Sequence, residues 1–355
     1  MVLFDNYSHG GDIYKNEIEI DFSANVNPLG TPEEVKDAIK KCTDSLSLYP
    51  DPYCMKLRRA LSGYTGTDYE DIICGNGAAE LIFSFAFALH AKKALLPVPS
   101  FSEYESGLKL SGTEIEYYYL KKENDYRVTE ELLPAITADT DVLMLCSPNN
   151  PTGMSIDKDL LIKILNRCRE TDTWLFLDEC FYELTDEEVA ATLINELKSE
   201  DKVFLLRAFT KMYGMAGVRL GYAICRNTDL KKKICEFNQP WNISAMAQAA
   251  GEAAVKCKDF AEKTKALVRK ERKYLYDSIK EMGLNVLEGR SNYLMIADAP
   301  GLYDFMLKNK VLIRSCGNYE GLSANEVRIA VKTHEMNEKL INLMREYAHG
   351  DQRKH

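Results

Sequence analysis

The feature that most constrains this chain is an alternation of short apolar runs with amphipathic stretches. The runs cover residues 94–98, 115–120, 142–146, 174–178, 203–206 and 222–225. Between them, helices are predicted over 104–110, 158–170 and 190–198. Strands buried on both faces read as continuous apolar runs, and strands alternating with helices imply a mainly parallel sheet covered on both sides. In an open sheet of that kind, ligands are expected at the carboxyl ends of the strands, where the loops collect.

The flanking segments are of other kinds. Residues 1–30 read as an arm holding His9-Gly10-Gly11 and Asp21 to Gly30. A helix over 31–42 is predicted to start with Thr31 as cap, Pro32 in the first helical position and Glu34 reaching back to the cap. A second helix is expected over 55–63, then a strand at 72–74. The loop Gly75 to Glu80 opens an almost wholly apolar helix that runs through Leu89. Free N–H groups at such a helix start, with the positive end of its dipole, suit a phosphate. A long helical stretch over 245–282 leads to a terminal α+β segment with strands at 293–296 and 327–331. The expected organisation is an arm, 1–30, which helps complete a small domain, 284–355, beside a large domain, 31–283.

At 355 residues the chain is long enough to divide its core between a large and a smaller domain. Its net charge of −9 argues against nucleic acid and anionic membrane as partners, so an anionic ligand must be met by local cations. The start lacks a charged n-region with an apolar h-region, and no apolar run approaches a membrane span, so a cytoplasmic location is expected. The ten cysteines are scattered without a C-x-x-C pair and read as reduced thiols. The five histidines (His9, His90, His334, His349, His355) are too dispersed for a metal site, the last two in a polar tail. No metal is expected.

The strand ends each deliver a different chemical group. Phe101 follows the run ending at Val98, Asn150 lies in S-P-N-N-P-T-G after Cys146, and the run from Trp174 ends in Asp178. After 203–206 comes R-A-F-T-K-M-Y-G-M-A-G-V-R-L-G-Y, which carries Lys211 and Arg219 eight residues apart. Together with a phosphate site at Gly77 and Ala78, these are the parts pyridoxal 5'-phosphate needs. A lysine holds the aldehyde as a Schiff base, and a carboxylate keeps the ring nitrogen protonated. An aromatic stacks on the ring, an amide meets the ring hydroxyl, and an arginine neutralises phosphate. Taken singly, Asp178 reads as a cap, Phe101 as core and Asn-Pro-Thr-Gly as an ordinary turn. Their order and shared position at strand ends carry the reading.

S-P-N-N-P-T-G, D-E-C-F and T-K-M-Y-G-M-A-G-V-R-L-G-Y jointly resemble the fold-type-I pyridoxal-phosphate enzymes of aminotransferase class I and II. The resemblance covers nearly the whole chain. It implies an α/β fold in which a mainly parallel seven-stranded sheet is sandwiched by helices, with a small α+β domain. It also implies that Lys211 is the Schiff-base lysine, Asp178 the pyridinium partner, Asn150 the ring-hydroxyl donor and Phe101 the stacking residue. Tyr49, in its Y-P motif, resembles a tyrosine that reaches the cofactor phosphate of a neighbouring subunit, which implies a homodimer with shared sites. Arg328, in V-R-I-A-V, resembles the arginine that grips the substrate α-carboxylate, and Asn25 lies in the arm that closes over substrate. Two positions depart from the pattern. Phe181 stands where a tyrosine often donates to the ring hydroxyl, with Tyr182 next to it. Ala208 stands where a hydroxyl residue often meets the phosphate, with Thr210 as its compensation.

Two branches of the family are most similar, histidinol-phosphate aminotransferase and threonine-phosphate decarboxylase. The early H-G-G, D-F-S-A-N-V-N-P-L-G, G-N-G-A-A-E, P-S-F-S-E-Y, D-E-C-F and I-R-S-C-G-N-Y-E-G-L favour the decarboxylase, with the aminotransferase as the alternative. Both act on phosphorylated substrates, and His9 and Arg314 are the candidates for that second anion. Two readings from other classes stand beside these. Gly75 to Glu80 partly imitates a dinucleotide fingerprint, which would make the protein an oxidoreductase, although Glu80 replaces the third glycine. A catalytically silent module of the same fold would lack the lysine or carry an added domain, and neither applies here.

Overall fold

The computed structural model describes residues 9–15 and 17–351. The arm contributes β1 (Ile20–Asp21), followed by α1 (Glu33–Cys42) and α2 (Met55–Thr65). The alternating region then supplies β2 (Ile72–Gly75), α3 (Ala78–Leu89), β3 (Lys93–Val98), α4 (Ser102–Leu110), β4 (Glu114–Tyr119), β5 (Val142–Cys146) and α5 (Lys158–Thr171). It continues through β6 (Trp174–Asp178), β7 (Val203–Ala208), the single turn α6 (Phe209–Met212) and β8 (Gly221–Ile224). Three helices follow, α7 (Thr228–Phe237), α8 (Ala245–Ala254) and α9 (Lys258–Glu281). The last part holds β9 (Asn285–Val286), β10 (Tyr293–Ala297), α10 (Leu302–Lys308), β11 (Val311–Leu312), β12 (Arg314–Ser315), β13 (Val327–Ala330) and α11 (His334–Asp351).

The large sheet has seven strands in the order β2-β8-β7-β6-β5-β3-β4, and only β8 runs against the others. Successive residues point to opposite faces of a strand, and the core divides accordingly. Leu143, Leu145, Leu175, Leu177 and Leu205 pack on one face. Met144, Phe176, Phe204 and Leu206 pack on the other. Helices therefore cover both faces, as the continuous apolar runs required.

The second sheet is antiparallel, in the order β12-β13-β10-β9. The arm packs beside it: β1 and β11 form a separate two-stranded parallel sheet, and Ala330 N–H of β13 donates to the Phe22 carbonyl at 2.8 Å. Phe22 is itself fully buried with Leu294, Ile296, Val327 and Ile329. The helix α9 serves both cores, with Val268 in the large one and Leu275 and Ile279 in the small one.

Four local expectations are corrected. Residues 190–198 form no helix; Leu193, Ile194 and Leu197 are buried, and Thr192 is drawn into a buried ion pair, so tertiary anchoring replaces the helical ladder. The stretch 245–282 is two helices, because the chain leaves helical geometry at Cys257 (φ −81°, ψ 57°). The first helix begins at Glu33 with Pro32 in the cap position, and no side chain caps it. Thr31 instead donates its hydroxyl to Gly214 O at 2.8 Å, a tertiary partner displacing the local one. His349 sits in α11 rather than in a tail, and His355 lies outside the described residues. No helix among the described residues is long and apolar enough to cross a membrane.

Candidate active site

A cavity of about 410 Å³ opens at the carboxyl ends of β5, β6 and β7, between the large sheet, the small sheet and the arm. Lys211 enters it from α6, one turn past the end of β7, with its ammonium 5.4 Å from the centre of the Phe181 ring. Burial, with the Arg328 cation nearby, lowers the Lys211 ammonium to about 8. Facing it, Asp178 is the last residue of β6, in register with Cys146 of β5. Tyr104 donates to Asp178 Oδ2 at 2.5 Å, and Cys180 N–H donates to Oδ1 at 2.8 Å. Burial pushes this carboxyl up, while Cys180, Tyr104 and the nearby Lys211 pull it down. Phe101 caps the start of α4, and its ring meets that of Tyr104 edge-on at 5.7 Å.

A second wall is built for an anion. Gly77 takes φ +82° at the start of α3, and a Cβ there would lie 2.5 Å from an Arg219 guanidinium nitrogen. Glycine thus lets the arginine lie directly on the backbone of the loop. Arg219 adopts a left-handed φ of 61°, and Ala78, Thr210 and Ala208 line the same space. Glu80 closes the loop by accepting from Asn76 N–H at 2.6 Å and from the Asn242 amide at 2.7 Å. The dinucleotide reading fails here, because β2 is an edge strand paired only with the antiparallel β8, with four strands between it and β3, so the loop does not open a βαβ unit of neighbouring strands. Tyr49 lies outside the cavity, 79% exposed and stacked on Trp241 at 4.6 Å.

The third wall comes from the small sheet and the arm. Arg328 on β13 donates to Asn150 Oδ1 and, at 2.8 Å, to the Ser23 carbonyl. Arg314 on β12 is its direct cross-strand partner, hydrogen-bonded to Asn318 at 2.7 Å and stacked over Tyr319 at 5.3 Å. Tyr319 in turn donates to Asn150 Oδ1 at 3.2 Å. Two buried guanidinium groups side by side concentrate positive charge on this wall. Asn25 is buried with neither side-chain atom hydrogen-bonded, and Arg328 Nε also lacks a partner. His9 lines the mouth, with Nε2 3.1 Å from Glu103.

The cavity therefore brings together His9, Asn25, Ala78, Phe101, Asn150, Asp178, Thr210, Lys211, Arg219, Arg314 and Arg328. Gly77 stands just behind Arg219, and Tyr49 is apart. Tyr182 does not stand in for the ring-hydroxyl donor, because its ring lies under Arg207 at 4.7 Å while Phe181 lines the cavity. Sequence reasoning missed Tyr104 and Tyr319. The only trace of Tyr104 is its place one helical turn after Phe101, on the same face. The parts fit pyridoxal phosphate. A glycine-backed arginine would suit the phosphate, a buried carboxylate the ring nitrogen, and a lysine of lowered basicity the aldehyde, while the unpaired Asn25 amide has room for a polar ligand.

Comparison with known proteins agrees. A threonine-phosphate decarboxylase of Salmonella typhimurium is 34% identical over 362 residues, covering 99% of both chains. A histidinol-phosphate aminotransferase of Methanococcus aeolicus is 33% identical, covering 92% of this chain and 89% of that one. The crystal structure of histidinol-phosphate aminotransferase from Clostridium acetobutylicum superposes with a TM-score of 0.86 at 30% identity, over 93% of this chain and 99% of that one. The family profile described as aminotransferase class I and II matches residues 17–343, and to that family this chain belongs.

Proposed function

We propose that this protein is a pyridoxal-phosphate-dependent decarboxylase of a phosphorylated amino acid, L-threonine O-3-phosphate or a close analogue. The observation that carries the reading is the cross-strand pair of buried arginines, Arg314 and Arg328, on the substrate side of the Lys211 cavity. Arg328, whose Nε has no partner, suits a carboxylate, and Arg314 adds a second positive charge on the wall that a phosphate would face. The near-complete coverage of the Salmonella typhimurium decarboxylase supports the same branch. So does the cavity, near the lower end of the usual range of about 300–1,000 Å³ for ligand sites, which suits a compact substrate beside the cofactor.

When bound, the cofactor supplies an aldehyde that takes the substrate amine and a protonated ring that accepts the electron pair of the broken Cα bond. The protein's own groups do the rest. Arg328, fixed by Asn150 and Ser23 O, orients the α-carboxylate, and Arg314 with His9 meets the phosphate. Asn25 closes from the arm. Arg219, packed on Gly77, and the Ala78 N–H would hold the cofactor phosphate, the Gly77 N–H being taken by Gly75 O at 2.8 Å; Phe101 would cover the ring and Asp178 would meet its nitrogen. The grip of Arg328 on the carboxylate would have to orient it without over-stabilising it. Lys211, lowered to about 8, is present partly as the free amine near neutral pH and can carry a proton to or from Cα.

The arm 1–30, the large domain 31–283 and the small domain 284–355 are the units we assign. A cytoplasmic location is part of the same assignment, and the exposed Tyr49 and Trp241 pair supports a homodimer in which Tyr49 reaches the partner's cofactor phosphate. The fold similarity to the Clostridium acetobutylicum enzyme favours a second reading, histidinol-phosphate transamination. Both are tested by mixing the yellow holoenzyme with L-threonine O-phosphate in the absence of a keto acid. Carbon dioxide at or above enzyme stoichiometry, with the original absorption band restored, is expected. Absence of carbon dioxide, with conversion to the pyridoxamine form by histidinol phosphate, overturns the decarboxylase reading.

A further inference from the structure

We propose that Tyr104 is a positioning residue that acts through Asp178 to keep the cofactor's ring proton on the ring nitrogen; this rests on the pairing of Asp178 with that nitrogen proposed above. The geometry is specific. Tyr104 comes from α4, 74 residues before Asp178 in the chain, and its side chain is fully buried. Its ring is wedged between Phe101 at 5.7 Å and Phe176 at 5.8 Å, both edge-on, which aims the hydroxyl at the ends of β5 and β6. There it donates to Asp178 Oδ2 at 2.5 Å, with the Cys146 thiol beside it.

The groups facing Asp178 divide the work. Cys180 N–H holds Oδ1, Lys211 adds a positive charge, and Cys146 and Tyr293 lie close enough to feel the carboxylate. Burial, then the neighbouring Asp178, holds the Tyr104 phenol well above its ordinary value, so it stays a donor. A charged acceptor with a donor on each oxygen is a weaker base than one with a single donor. In a buried pair of carboxylate and pyridine, one proton goes to whichever partner is more basic. By weakening Asp178 as a base, Tyr104 leaves that proton on the ring, where it makes the ring an electron acceptor.

The test is Tyr104→Phe, which removes one oxygen from a packed ring, compared with Asp178→Asn in the same holoenzyme. The first readout is the ¹⁵N resonance of cofactor labelled at the ring nitrogen. Tyr104→Phe should move it from the protonated toward the unprotonated position. The second readout is the carboxyl resonance of Asp178 in the cofactor-free protein. Its titration should rise by about one to two pH units, the worth of one hydrogen bond to a charged group. Incorporation of 3,5-difluorotyrosine at position 104, a stronger donor, should reverse the sign of that shift. Thermal unfolding of each cofactor-free variant checks that the fold is intact. If Asp178→Asn shifts the ¹⁵N resonance and Tyr104→Phe does not, the role given to Tyr104 is wrong. If Asp178→Asn leaves it unmoved, the pairing of Asp178 with the ring is wrong instead.

Discussion

On the large-sheet side of the cavity Asp178 has a donor on each oxygen and Arg219 lies packed on Gly77, whereas on the side of the arm and small sheet Asn25 has no partner at either side-chain atom and Arg328 Nε is unpaired. A buried polar group left unsatisfied costs about 1–3 kcal/mol. The cofactor side is thus assembled before anything binds, while the substrate side is short of partners that an anionic ligand would bring.

The largest test of that contrast is Lys211→Ala. Turnover should fall by about 10⁴-fold or more, yet the variant should retain the cofactor reversibly, read by absorbance after gel filtration. Complete loss of cofactor would show that the large-sheet wall is not preassembled. Behind that wall Arg207 donates to Glu179 Oε2 at 2.9 and 2.7 Å, both side chains buried. Arg207→Met strands the Glu179 charge, and denaturant unfolding should register a loss of about 3–5 kcal/mol. On the substrate side, Arg328→Lys keeps the charge but not the planar fork. There kcat/KM for the phosphorylated amino acid should drop about 10- to 100-fold, with a much smaller change in the stability of the cofactor-free protein.

A pH test links the two sides. The Lys211 amine of the cofactor-free enzyme should be acylated with a midpoint of about 8, below the ordinary lysine value of about 10.4. Arg328→Gln removes a like charge, so it should raise that midpoint, and a midpoint that stays put would uncouple the walls. The smallest effect is expected from Asn25→Ala. Because its amide has no partner to lose, unfolding stability should change by less than about 1 kcal/mol. The KM should nonetheless rise several-fold.

The same contrast governs what could be read from sequence. Loops after apolar runs announce strand ends, so Phe101, Asn150, Asp178, Lys211 and Arg219 were legible, and the cavity collects all five. In two of the failed expectations a distant partner had won over a local preference. Thr31 spends its hydroxyl on Gly214 instead of capping α1, and Thr192 serves the Arg207–Glu179 pair instead of a helix. Tyr104 reaches Asp178 across 74 residues, and Tyr319 reaches Asn150 across 169. Local pattern carries no trace of such pairings.

Asn150 has the last consequence. A carboxamide accepts at one end and donates at the other, and packing alone hardly distinguishes them. Here the choice is forced, since Arg328 and Tyr319 both donate to Oδ1. The NH₂ end is the one left for an oxygen entering the cavity, so that corner has a polarity: it welcomes an ionised oxygen and repels another donor. Asn150→Asp would keep both incoming hydrogen bonds while inverting the sign of that corner, and a ring hydroxyl placed there would have to recover its proton.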